Sequence, residues 1–156
     1  MAQTGKQWDA ITAGKIGAGM PELVSLAEAS TQVAKRGAPG VLTSGYFIEA
    51  ATSAVCDLLH GFFEQDGQSL ASDGLKKARV LVARPGTKYV GSLNATLTQA
   101  MIGSKICLVV NSSTWVFNTA TSGKYTLVGP AEGFQIGDTY PLIEVTIDAD
   151  AIQLDT

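Results

Sequence analysis

Ser72-Asp-Gly-Leu-Lys-Lys-Ala-Arg-Val-Leu-Val-Ala-Arg-Pro-Gly-Thr-Lys-Tyr-Val-Gly-Ser-Leu93 packs two turn signals and two β-prone runs into 22 residues, with no recognisable catalytic group among them. Asp73-Gly74 and Pro85-Gly86 supply the fixed φ and the φ > 0 that tight turns require. Val80, Leu81 and Val82, then Tyr89 and Val90, pack well on a pleated surface. The stretch reads as structural material: strand, turn, strand. Five positive charges (Lys76, Lys77, Arg79, Arg84, Lys88) lie between Asp73 and Gly91 with no acid among them.

From Val41 onward, turn residues recur at short intervals with β-prone runs between them, the pattern of an all-β sandwich or barrel. The expected strands are 41–49, 54–65, 76–84, 88–93, 104–111, 114–119, 124–129 and 140–147. Leu58 to Phe63 fits a helix on periodicity alone, but Gly61 within it and Asp66-Gly67 beyond favour a strand with a bulge. A hairpin carries Trp115, Val116 and Phe117, and Pro130 to Asp138 reads as a long loop. Core or partner contact would suit that loop's Phe134 and Ile136 equally.

Residues 1–40 differ: Gly5, Gly14, Gly17, Gly19, Gly37 and Gly40 interrupt them, and Trp8, Ile11 and Ile16 stand as isolated apolar residues. Leu23, Leu26, Ala27, Val33 and Ala34, after Pro21-Glu22 and before Lys35-Arg36-Gly37, predict a short helix from about 21 to 35. The expectation is therefore an all-β fold: an N-terminal arm (1–40) with that helix, and a compact β-barrel or β-sandwich of tulip or jelly-roll type (41–156).

A chain of 156 residues with 46% hydrophobic composition has room for one substantial core. A net charge of −3, and no interleaving of aromatic with basic residues, argue against nucleic acid as a partner. The opening residues lack a secretory apolar run and no apolar stretch approaches the about 20 residues needed to span a bilayer, so synthesis in a cytoplasm and no membrane partner are expected. Residues 125–156 carry six acids and no Lys or Arg. Against the basic stretch 76–88 they form either two solvated faces or a complementary pair, with Lys76, Lys77 and Arg79 as interface candidates.

The chemistry is sparse. His60, the single histidine, lies four residues after Cys56, on the same face if both are in one strand, yet no orienting carboxylate shares that face. Cys56 and Cys107 sit in apolar runs and read as buried thiols rather than a disulfide. Three His and Cys residues without finger spacing make no zinc site; Asp148-Ala-Asp150 lacks the Gly and Glu of a calcium loop; Gly14 to Gly19 has neither phosphate-loop spacing. No catalytic residue, metal site or cofactor is expected. Trp115 and Phe117, two apart on a strand, offer the main alternative, the aromatic platform of a small-ligand or glycan-binding barrel, and a cysteine hydrolase using Cys56 and His60 is a third, weaker reading.

Three segments, Ile48 to Gln68, Ala71 to Thr87 and Ile136 to Gln153, resemble the small capsid decoration, or cement, proteins of tailed bacteriophages. The resemblance covers roughly 45 to 153 and rests on turn and strand signatures. It implies a compact β-barrel on the outer surface of the virion that bridges major capsid subunits, commonly as a homotrimer, with no cofactor. It also gives the glycine-broken arm a purpose, with Trp8, Ile11 and Ile16 as capsid anchors that order on docking.

Overall fold

The computed structural model describes residues 22–51, 59–85, 87–111, 114–119 and 123–153. Ten strands follow one another: β1 (Leu23–Ala27), β2 (Pro39–Thr43), β3 (Tyr46–Glu49), β4 (Gly61–Phe63), β5 (Lys77–Val82), β6 (Lys88–Ser92), β7 (Lys105–Asn111), β8 (Thr114–Asn118), β9 (Tyr125–Pro130) and β10 (Leu142–Ile147). Helix among the described residues is confined to two short 3-10 turns, Gln99–Met101 and Ala149–Ala151. The all-β expectation holds.

The strands form two antiparallel five-stranded sheets, in the orders β1-β5-β4-β2-β3 and β6-β10-β9-β7-β8. These are the same order twice. The register repeats as well: Ala27 opposite Lys77 in the first sheet corresponds to Ser92 opposite Leu142 in the second, a shift of about 65 residues. Pro39 opposite Phe62 and Gly40 opposite Gly61 correspond likewise to Lys105 opposite Thr126 and Ile106 opposite Tyr125. In each sheet a single parallel bridge brings the two edge strands together, Glu28 with Phe47 and Leu93 with Phe117. Each sheet thereby curls toward a closed barrel, which removes most of its exposed edge.

Local details obey the same doubling. Gly37 and Gly103 stand two residues before β2 and β7 with φ of 94° and 84°, a region that side chains with a Cβ enter only at a cost. Gly37 donates its N–H to Phe63 O at 2.7 Å, and Gly103 donates to Leu127 O at 2.8 Å. Sequence similarity between the halves is too slight to reveal the repeat, because what the fold needs at each position is a burial class and not an identity. Phe47 and Phe117 are equivalent and fully buried, as are Val80 and Val145, but the position of buried Ala78 is held by Ile143 in the second sheet and that of Gly61 by Tyr125.

One hydrophobic core serves both halves. The Phe62 and Tyr89 rings lie 5.1 Å apart and the Tyr89 hydroxyl donates to Val82 O at 3.2 Å. Buried Trp115 donates its indole N–H to Glu49 Oε2 at 2.9 Å, tying β8 to β3. Past β10, Ile152 bridges Leu59, and the Gln153 amide pairs with both backbone groups of Leu42 at 2.7 and 2.9 Å. Burying each large apolar side chain stabilises the fold by about 1.5–3 kcal/mol, so these seams are where the halves hold together.

Three expectations change. Residues 23–27, expected in the helix 21–35, form β1 instead, with Val24 opposite Val80 and Leu26 opposite Ala78. Five residues, four of them apolar, suit either period, and the backbone of β5 offered hydrogen bonds along its whole length. Residues 22–40, expected in the arm, accordingly contribute β1, the buried Ala34 and Ala38, and the start of β2. Residues 41–49 make not one strand but the hairpin β2–β3, turned at Ser44 and Gly45 with φ of 52° and 83°.

Candidate interaction surface

The interface candidates sit where β5 begins. Lys77 and Arg79 alternate outward from buried Ala78 and Val80, and Lys76 precedes them; all three are exposed. Among the described residues none of the three has an ion pair. Arg84, from the same basic stretch, pairs with Glu22. The acids of the C-terminal segment find other cations: Asp148 lies 2.7 Å from Lys105 Nζ and Asp150 lies 2.9 Å from Lys124 Nζ. The hydrogen bond from Lys124 holds the Asp150 carboxyl below its ordinary value. The complementary pairing of 76–88 with 125–156 is therefore not made within the described chain. Trp8, Ile11 and Ile16 lie outside the described residues.

The loop from Ala131 to Tyr140 is a second feature. Backbone bonds pin it to the 95–97 segment: Leu97 donates to Asp138 O at 2.9 Å, Gly137 to Leu97 O at 2.8 Å and Tyr140 to Ala95 O at 3.0 Å. Within it Gln135 N–H donates to the Asp138 carboxylate at 2.9 Å. Yet this tethered loop leaves Phe134, Ile136 and Tyr140 exposed, Tyr140 by 65%. Phe134 and Ile136 are thus surface residues and not core. Tyr140 also has φ of 53°, a strained conformation for a bulky residue, one that persists only where surrounding bonds impose it.

Leu75, 61% exposed, stands two residues before β5 as Tyr140 stands two before β10. Sequence reasoning missed both, because neither lies in a recognisable motif; only the superposed repeat relates them. The charges around them are opposite. Lys76, Lys77 and Arg79 follow Leu75, whereas Glu132, Asp138 and Glu144 surround Tyr140 in sequence, and Arg79 and Glu144 occupy equivalent strand positions.

Elsewhere, buried groups account for the residues that chemistry might have claimed. Trp115 and Phe117 are both fully buried, so they form no platform for a glycan. His60 sits edge-on to Phe47 at 6.5 Å, its Nδ1 buried without a hydrogen-bond partner among the described residues. Cys107 is buried but disulfide-bonded, which corrects the expectation of a thiol; the other cysteine, Cys56, lies outside the described residues. An apolar run buries a cysteine in either redox state, so the run could not decide between them. Burial pushes the Tyr125 hydroxyl well above its ordinary pKa, keeping it neutral. Glu28, which forms the bridge between the edges of the first sheet, is fully buried and accepts the Gln68 N–H at 2.7 Å and the Gln68 amide at 2.8 Å.

No family model, curated protein or solved structure matches the chain. No helix among the described residues is long and apolar enough to cross a membrane. The geometry that stands out is thus a doubled, curled sheet with two equivalent positions, each an exposed apolar residue, the first followed by exposed cations and the second flanked in sequence by acids.

Proposed function

We propose that the chain is a structural, non-enzymatic cement protein: it binds the outside of a phage head, bridges neighbouring major capsid subunits and stabilises the expanded lattice. The resemblance of its turn and strand segments to phage decoration proteins suggests the setting. The observation that carries the reading is the doubling: one chain presents two curled sheets of the same strand order and closely matching register on a shared core. A bridge between neighbouring subunits needs two contact faces, and two such units on one core give the chain two. Binding only the expanded lattice stabilises it by mass action, by about 2.7 kcal/mol when free protein is at a hundredfold excess over Kd. Trp8, Ile11 and Ile16 serve as the arm's anchors, adding avidity to whatever the barrels contact.

The test is co-sedimentation with expanded heads, followed by heating or low-salt challenge of the decorated particles. The expected result is saturable binding and heads that survive conditions rupturing bare ones. Chains lacking residues 1–20 should keep their melting temperature and bind more weakly. If the full chain neither sediments with heads nor protects them, the reading fails; if the truncated chain unfolds, the arm belongs to the core.

A further inference from the structure

We infer that the basic tip of one copy, Leu75 with Lys76, Lys77 and Arg79, docks on the acidic tip of a second copy, Tyr140 and Phe134 with Glu132 and Glu144. Each tip joins an exposed apolar centre to a charged border, the arrangement of a protein contact, in which the apolar centre is desolvated and the border remains wet. The signs are complementary. Of the acids beside the basic tip, Asp73 already accepts the Ser30 N–H at 2.7 Å, Glu28, bonded through its N–H to Lys76 O, is buried against Gln68, and Glu64, bonded through its N–H to Arg79 O, leaves the three cations in excess; residues 123–153 contain no Arg and only Lys124, which pairs with Asp150.

The four ion pairs of the described chain all lie elsewhere, so this complementarity is left for another molecule to satisfy. Preorganisation favours the same contact. The acidic tip's loop is held by its backbone bonds to residues 95–97, which reduces the ordering cost of association.

The repeat fixes the symmetry. The two tips occupy equivalent positions on two like barrels, so each copy offers one and receives the other. Such a contact is heterologous: it does not stop at a two-fold dimer but closes a ring or extends a filament.

Sedimentation velocity of the full chain over a range of concentrations, at about 50 mM and about 500 mM salt, tests this without capsids. The wild type should form species larger than monomer that dissociate at the higher salt. Lys76→Glu/Lys77→Glu/Arg79→Glu has two acidic tips, and Glu132→Lys/Glu144→Lys has two basic ones. Each variant alone should sediment as a monomer, and a one-to-one mixture should regain association. Tyr140→Asn, a residue that tolerates the same φ, should weaken association at both salts while circular dichroism stays unchanged.

A wild type that remains monomeric at every concentration overturns the proposal. So does a folded pair of variants that each associate like the wild type, or a mixture that stays monomeric. The contact stands apart from the capsid reading: heads that ignore a self-associating chain sink only the latter, and decorated heads with a monomeric chain sink only the former.

Discussion

Glu49 shows how a single residue sets conditions on the fold. Its carboxyl is pushed above the ordinary carboxylate range chiefly by burial, with the hydrogen bond from the Trp115 indole offsetting part of that shift. A raised folded-state pKa means the folded chain holds the proton more tightly than the unfolded chain does. This contribution to stability is present below pH 4.5, the unfolded value, and is lost as pH rises through the folded one. Glu49→Gln keeps an acceptor for the indole without the charge, so urea midpoints should match the wild type at acid pH and equal or exceed it at neutral pH. Cys107 supplies a second test at this scale. The native chain should show no free thiol by mass spectrometry, and reduction should lower stability by about 2–4 kcal/mol, read from denaturant midpoints.

At the scale of elements, the repeat makes a quantitative demand. Gly37 and Gly103 hold equivalent left-handed positions and equivalent bonds, so Gly37→Ala and Gly103→Ala should each destabilise the chain by about 1–2 kcal/mol, and by similar amounts. Very unequal losses in chemical denaturation would mean that the two turns differ in more than sequence. β9 and β10 were legible because one buried face leaves an alternating period, and β5, β6 and β7 because consecutive β-branched and aromatic residues, buried on both faces, are bounded by turn residues. β1 was not, since Leu23 to Ala27 is too short to distinguish two periods and is a strand by virtue of its partner β5. The turn at Ser44-Gly45 was read through because Tyr46 and Phe47 continue the apolar run beyond it. Of the candidate surface, the charges of Lys76, Lys77 and Arg79 were visible in the sequence, but Leu75 and Tyr140 acquire meaning only from a correspondence between strands that no residue-by-residue similarity announces.

For the whole molecule, the seams between the barrels predict cooperativity. Phe62 against Tyr89, Trp115 on Glu49 and Gln153 on Leu42 couple the halves through one core, so calorimetry should give a single transition whose calorimetric and van't Hoff enthalpies agree. Two resolved transitions would instead describe independent barrels sharing a chain. The order of the strands carries a further consequence for synthesis. All five strands of the first sheet lie between Leu23 and Val82, so that barrel has its complete complement while the ribosome is still translating the second. Its sister then grows beside a template already closed. Gln153, reaching back to the backbone of Leu42, emerges after every strand of both sheets, so its amide can fasten the two together only once the second has been made.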